Sequence, residues 1–223
     1  MFIDRLDAGT KLAQALKDHP LVQKIALADR LVLSIPRGGV VIGKKISIQL
    51  NSRHDVILVK KLGAPFQSEL AIGAIAETGQ PFIDQSLVNQ IRVDDSYLRE
   101  EINRVRAKIA MYKTKFRQDK ELNLAAHLTI LVDDGMATGE TMKAAIAWLQ
   151  GQEKTHSKTY HLSPTTYLIV VPVAASNAAT DIRALGVELV CLEESSDLTA
   201  IGQFYERFDQ VTDEEVIKLL AKN

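Results

Sequence analysis

Two adjacent carboxylates, Asp133 and Asp134, close an apolar run in the stretch LTILVDDGMATGETM, residues 128–142. A turn containing Gly135, Ala137, Thr138 and Gly139 follows at once, then Glu140 and Thr141 near the head of a helical pattern. The first amides of a helix have no partner inside it and the helix dipole favours an anion, so such a turn suits a phosphate. Thr138 and Thr141 bring hydroxyl donors to the same place. Two carboxylates would repel that phosphate and need another partner. The vicinal hydroxyls of a sugar donate hydrogen bonds that carboxylates accept. The stretch therefore reads as a sugar-phosphate site, with hydroxyls at Asp133 and Asp134 and phosphate at the turn. An ordinary strand end, turn and threonine cap would explain Asp-Asp-Gly alone, but not the whole string in its strand-turn-helix setting. Neither a P-loop nor a dinucleotide fingerprint is present in it.

A second constellation, LVLSIPRGGV, repeats the strand-turn-helix order. Pro36, Gly38 and Gly39 set a turn, and Arg37 brings a cation to a helix N-terminus. Exposed amides beside a positive side chain suit a second anion, such as a pyrophosphate. The run VILVKKLG is expected to place Lys60 and Lys61 at another strand end, on the same edge of the sheet. Taken singly, PRGG also makes a good turn and a lysine at a strand end is usually solvated.

The elements that must hold these residues alternate along the chain. Leu31 to Ile35, Val56 to Val59, Thr129 to Val132, Thr166 to Val171 and Val187 to Leu192 are short aliphatic runs. Several are continuous rather than alternating, as strands buried on both faces are. Helical patterns follow the first run (Gly39, Gly43, Ile46, Leu50) and the third (Met142, Ala145, Ile146, Leu149, with Gly151 as a stop). Ser176 to Leu185 makes a third helix. The alternation predicts an α/β fold, a Rossmann-like and mostly parallel sheet with helices on both faces. Asp94 to Gln118 reads as a long, Arg- and Lys-rich helix, and Ala71 to Asp84 as a hairpin turning at or near Thr78 and Gly79. Lys154 to Thr165 reads as a surface loop, and Thr212 with Glu215 as a capping box before a final helix.

Composition narrows the class. The chain has 223 residues, 46% of them apolar, enough for one domain with a continuous core. Its 27 basic and 28 acidic side chains nearly cancel, which counts against a nucleic-acid-coating protein. The single cysteine, Cys191, cannot pair within the chain and fits a reducing compartment. No signal-peptide pattern or bilayer-length apolar run is seen, so the expectation is a soluble, cytoplasmic protein with no membrane partner. The five histidines, His19, His54, His127, His156 and His161, lack ligand spacing and read as surface or loop residues; no protein metal cage is expected.

VDDGMATGETM resembles the 5-phosphoribosyl-1-pyrophosphate (PRPP) motif of type I phosphoribosyltransferases. The resemblance implies that Asp133 and Asp134 hold the ribose 2′- and 3′-hydroxyls. It also implies that Ala137, Thr138, Gly139, Glu140 and Thr141 hold the 5′-phosphate. Pro36 to Gly39 would then be the pyrophosphate loop, and Lys60 and Lys61 the basic pair opening a variable region, in the family's order along the chain. FIDRLDAGTKLAQAL, SIPRGGV, VKKLGAPFQSELAIGAIAETG, VVPVA and IGQFYERFDQVTDEEV extend the similarity over nearly the whole chain. They are similar to a bacterial and archaeal group classed as predicted phosphoribosyltransferases, whose acceptor its sequences do not settle.

The resemblance implies a single domain of residues 1–223. Its hood would come from about 1–20 and 195–223, and a helical and hairpin excursion from about 62–120. The implied reaction moves phosphoribose from PRPP to a small nitrogenous acceptor, a purine or pyrimidine base among the candidates, and releases pyrophosphate. Asp133, Asp134, Arg37 and Lys60 would serve the catalysis, and Mg²⁺ would ride mainly on the substrate phosphates. Phe204, Tyr205 and Phe208 are read first as packing residues and second as a platform for a base. Glu69 and Glu77 are candidate acids or bases or plain exposed acids, and Arg92, Arg99, Arg104 and Arg106 read as a solvated face before a phosphate site. A PRPP-sensing regulator without turnover is the alternative. The family's habit admits a homodimer that nothing in the sequence shows.

Overall fold

A computed structural model of the chain describes residues 1–77, 81–156 and 165–221. In chain order the elements are helices α1 (Arg5–Lys17) and α2 (Pro20–Lys24), strand β1 (Arg30–Ser34), helix α3 (Gly38–Leu50), and strands β2 (Arg53–Val56), β3 (Val59–Ala64), β4 (Gln67–Ala76) and β5 (Phe82–Ile83). Helices α4 (Gln85–Gln90) and α5 (Asp95–Arg117), strand β6 (Leu128–Val132), helix α6 (Glu140–His156), strand β7 (Thr166–Ala175), helix α7 (Ser176–Ala184), strand β8 (Glu188–Ser195) and helix α8 (Asp213–Leu220) complete it. They divide between two compact units: residues 1–56, 122–139 and 163–223 in one, 57–121 and 140–162 in the other.

The first unit is built on a five-stranded parallel sheet in the order β2-β1-β6-β7-β8, flanked by helices. Every residue of β1 and β6 is buried, as their continuous apolar runs require. Leu12 and Leu16 of α1 and Ile42 and Ile46 of α3 pack in one core with Val32, Ile130, Val132, Leu168 and Val170 of the sheet. Gly9 lets α1 and α3 approach closely, because a Cβ there would sit 3.2 Å from the Ile42 Cα. Register sets Ser34 opposite Val132 and Val132 opposite Val170, so the carboxyl ends of β1 and β6 line up while β7 runs on to Ala175. Backbone hydrogen bonds also tie the terminal segments together. The Phe2 amide donates to the Phe204 carbonyl at 2.7 Å, and the Glu206 amide donates to the Phe2 carbonyl at 2.9 Å.

The second unit carries an antiparallel sheet in the order β3-β4-β5, against which α5 and α6 pack. Register shifts near Gly63 of β3, and α5 takes up the loosened groups: Tyr97 donates to the Gly63 carbonyl at 2.9 Å, and Glu101 accepts the Gly63 amide at 3.1 Å. Glu77 and Arg117 form a buried ion pair, the side chains 1% and 4% exposed.

Several expectations need correction. The run Val56 to Val59 is not one strand: β2 ends at Val56, β3 begins at Val59, and the chain passes from one unit to the other between them. Lys60 and Lys61 lie inside antiparallel β3, opposite Ile75 and Ala74, not at the end of a parallel strand. Gly151 does not stop α6, because Met142, Ala145, Ile146 and Leu149 are buried and this burial outweighs the roughly 1 kcal/mol that an interior glycine costs. Lys154 to His156 accordingly belong to α6, and the rest of the expected loop up to Pro164 lies outside the described residues. Thr78 and Gly79 also lie outside them, although β4 and β5 do pair as a hairpin. Residues 5–17, within the segment expected as hood, form α1, with Asp4 capping it by accepting the Leu6 and Asp7 amides. Among the described residues no helix is long and apolar enough to cross a membrane.

Candidate functional site

The two turns singled out in the sequence meet at the carboxyl ends of neighbouring strands of the parallel sheet. Beyond β1, the Ile35 amide donates to the Val132 carbonyl at 2.8 Å, so the pairing with β6 continues into both turns. A Cβ on Gly39 would lie 2.8 Å from the Val132 oxygen and 2.9 Å from the Asp133 Cα, both backbone. A Cβ on Gly38 would strike the Asp134 carboxylate. Close backbone approach therefore demands glycine at Gly39, whereas a side chain at Gly38 would have to displace the Asp134 carboxylate and its Arg5 partner. The peptide bond between Pro36 and Arg37 is cis.

Gly38 and Gly39 open α3, whose N-cap residue Arg37 makes no side-chain capping bond. The first amides of this 13-residue helix have no side-chain cap from Arg37, and the positive end of the helix dipole lies at Gly38 and Gly39. The Arg37 guanidinium is about one-third exposed and lies 3.5 Å from Asp213, in the first turn of α8.

After β6 the chain is anchored at Met136, whose amide donates to the Val173 carbonyl at 2.9 Å and whose carbonyl accepts the Ala175 amide at 2.8 Å. Between β6 and this anchor, Asp133, Asp134 and Gly135 are half-buried; beyond it Ala137 and Thr138 are exposed. Asp133 Oδ1 accepts the Asp134 amide at 2.8 Å. Gly139 has φ of 76°, a conformation that glycine adopts without strain. Glu140 and Thr141 then begin α6 in the second unit, where Glu140 pairs with Lys143 at 2.9 Å.

Three groups around Asp134 were not anticipated. Arg5 Nε donates to Asp134 Oδ2 at 2.7 Å. The Tyr205 hydroxyl donates to the Asp134 carbonyl at 2.7 Å. A Cβ on Gly135 would collide with Ile201. Burial, with the nearby Asp134 charge, pushes the ionisation of Tyr205 far above the ordinary phenol range, so its hydroxyl stays a donor. The only sequence signal for Arg5 and Tyr205 is that both lie in stretches that carry the family resemblance.

Other candidates are placed elsewhere. Tyr205 packs between Phe2 and Phe208, with centroids 5.5 and 4.8 Å away, and the Arg5 guanidinium covers Phe208 at 3.8 Å. These rings are packing residues first. Lys60 and Lys61 are half-buried in β3, with the Lys60 ammonium 5.2 Å from the Tyr112 ring. Glu77 is no exposed acid: it is paired with Arg117 and accepts the Leu58 amide at 3.5 Å. The side chain of Glu69 lies outside the described residues. Arg99 and Arg106 are exposed on α5, Arg104 pairs with Glu101, and Arg92 stands in the turn before the helix. His54 is buried rather than at the surface, in the alternating strand β2, with Nε2 2.8 Å from Ser34 Oγ. Among the described residues no cluster of three or more histidine, cysteine, aspartate or glutamate side chains stands ready for a metal ion.

Similarity to known proteins runs the length of the chain. A family model for the phosphoribosyl transferase domain matches residues 4–163. A Mycobacterium tuberculosis protein represented by two strains, as MT0597 (CDC 1551 / Oshkosh) and Rv0571c (ATCC 25618 / H37Rv), is provisionally named a phosphoribosyl transferase and is 31% identical over 225 residues. That match takes in 100% of this chain and 47% of the relative, so the chain spans about half the length of the curated relatives it matches. The crystal structure of TT1426 from Thermus thermophilus is similar with a TM-score of 0.77 and 34% identity, covering 99% of this chain and 98% of that one.

Proposed function

Since this chain belongs to the phosphoribosyl transferase family, we propose that it transfers 5-phosphoribose from PRPP to a nitrogenous acceptor and releases pyrophosphate. The meeting of Gly38 and Gly39 with Asp133 and Asp134, at the ends of adjacent parallel strands, is the observation that carries this reading. Ligands of open α/β sheets bind beyond the carboxyl ends of the strands.

In the proposed reaction the bond from ribose C1 to the pyrophosphate oxygen breaks, and its electron pair leaves with pyrophosphate. A nitrogen lone pair of the acceptor forms the new bond to C1, and the acceptor gives up a proton if it was bound to that nitrogen. Positive charge develops on the sugar ring, as in glycoside cleavage. Asp133 and Asp134 hold the ribose through its hydroxyls, and the Ala137 to Thr141 segment takes the 5′-phosphate. The amides of Gly38 and Gly39, with Arg37, take the leaving pyrophosphate. The protein's contribution is orientation and charge stabilisation rather than a nucleophile of its own. Mg²⁺ neutralises phosphate oxygens when bound. Asp133 and Asp134 supply oxygen donors of the kind Mg²⁺ takes, so a metal carried by the substrate phosphates would fit beside them.

Calorimetric titration with PRPP and Mg²⁺ tests the assignment. The wild-type chain should bind, and Asp133→Asn with Asp134→Asn should abolish binding while circular dichroism stays native. Unchanged affinity in the double variant would sink it.

A further inference from the structure

Arg5 is held on three sides at the point where the two turns meet. Its Nε donates to Asp134 Oδ2 at 2.7 Å, its Nη1 donates to the Asp209 carbonyl at 2.7 Å, and its guanidinium lies 3.8 Å from the centre of the Phe208 ring. The ion pair is no surface decoration: the two side chains are 11% and 18% exposed. A Cβ on Gly38 would come within 2.8 Å of the same Nε, so Arg5 also touches the edge of the other turn. From the C-terminal side, Tyr205 grips the Asp134 carbonyl.

A guanidinium fixed by a carbonyl and a ring has a defined direction, and its bond to a carboxylate transmits that direction. One oxygen of Asp134 is thereby tied down. Among the described residues the other oxygen meets no donor, which leaves its lone pairs for one from outside the chain. Resting on the reading of this site as a PRPP site, we propose that Arg5 is the positioning residue that aims Asp134 at a ribose hydroxyl. Its effect runs through the sugar and not through the pyrophosphate.

The test compares two probes, PRPP and inorganic pyrophosphate, each with Mg²⁺, by calorimetry on the full chain. In Arg5→Ala, PRPP should bind about tenfold more weakly or worse, the loss of roughly one charge-assisted hydrogen bond. Pyrophosphate, which has no hydroxyl for Asp134, should bind within about twofold of wild type. Millimolar guanidinium ion should restore part of the PRPP affinity of Arg5→Ala and leave wild type unchanged. Should Arg5→Ala fail to fold, Arg5→Lys keeps the charge without the planar fork and should show the same selective loss in smaller measure. Equal or tighter PRPP binding without Arg5 overturns the proposal, and so does an equal loss for both probes. A wild-type chain that binds no PRPP overturns the underlying site assignment instead, and is read before any variant.

Discussion

His54 shows how one side chain can set a pH dependence that its place in the sequence does not announce. Burial, with the Lys44 charge as the lesser cause, lowers its pKa from 6.5 to about 3. In the unfolded chain the imidazole takes up a proton near pH 6.5; in the folded chain it stays neutral until far lower. Between these values the unfolded state binds more protons, so stability is fully present above pH 6.5 and falls as the solution is acidified. The contribution of His54 to the loss between pH 7 and pH 4.5 is roughly 2–3 kcal/mol. Denaturation of wild type and His54→Gln at both pH values checks this. The variant should lose less stability on acidification, though it starts lower because the bond to Ser34 changes. An identical pH dependence in the two proteins would contradict it. At this scale the sequence marked Asp133, Asp134, Gly38 and Gly39 through local motifs, but His54 lacked the neighbour spacing that betrays a role. Its burial comes from the alternation of β2, where His54 and Val56 share one face.

Among elements, the tie between β4 and α5 is the sharpest case. Glu77 follows β4 directly, Arg117 ends α5, and both side chains are almost fully buried. Removing one member of a buried ion pair strands the other charge, at a typical cost of 3–5 kcal/mol, whereas the intact pair is worth far less. Glu77→Gln should therefore lower unfolding free energy by about that amount in urea denaturation. Replacing both residues by leucine and methionine should cost less than the single change. A Glu77→Gln protein as stable as wild type would return Glu77 to the pool of candidate acids. The helix α5 itself was readable over Asp94 to Gln118, because its amphipathic period is a local property, and in the structure these two residues are its caps. The partner of Glu77 was not, because Arg117 lies in a different element forty residues on.

For the whole molecule, the interleaving of the chain matters most. The second unit is assembled from two separate stretches, 57–121 and 140–162, and α6 packs on β3 and β4 from the later one. A fragment of residues 57–121 would expose the face of its small sheet that α6 covers. Three strands with one such face open have little independent stability. The isolated fragment should show weak circular dichroism and no cooperative melt, and a sharp two-state melt would refute this. A sequence that alternates strand and helix reads as one continuous fold. The passage at Val56 and Ile57 is hidden because the apolar run does not break there.

By itself the sequence determined the parallel α/β sheet, the strand-turn-helix setting of both motifs and the family to which they belong. Each depends on residues within a few positions of one another, where periodicity, capping and turn chemistry act. Only the tertiary structure decided that Gly38 faces Asp134, that Lys60 and Lys61 sit in an antiparallel strand, and that Arg5 reaches across 129 positions to hold the second acid of the motif. Such pairings arise when packing brings distant segments together. Strand register and helix docking select them, and no local pattern encodes which residue will arrive.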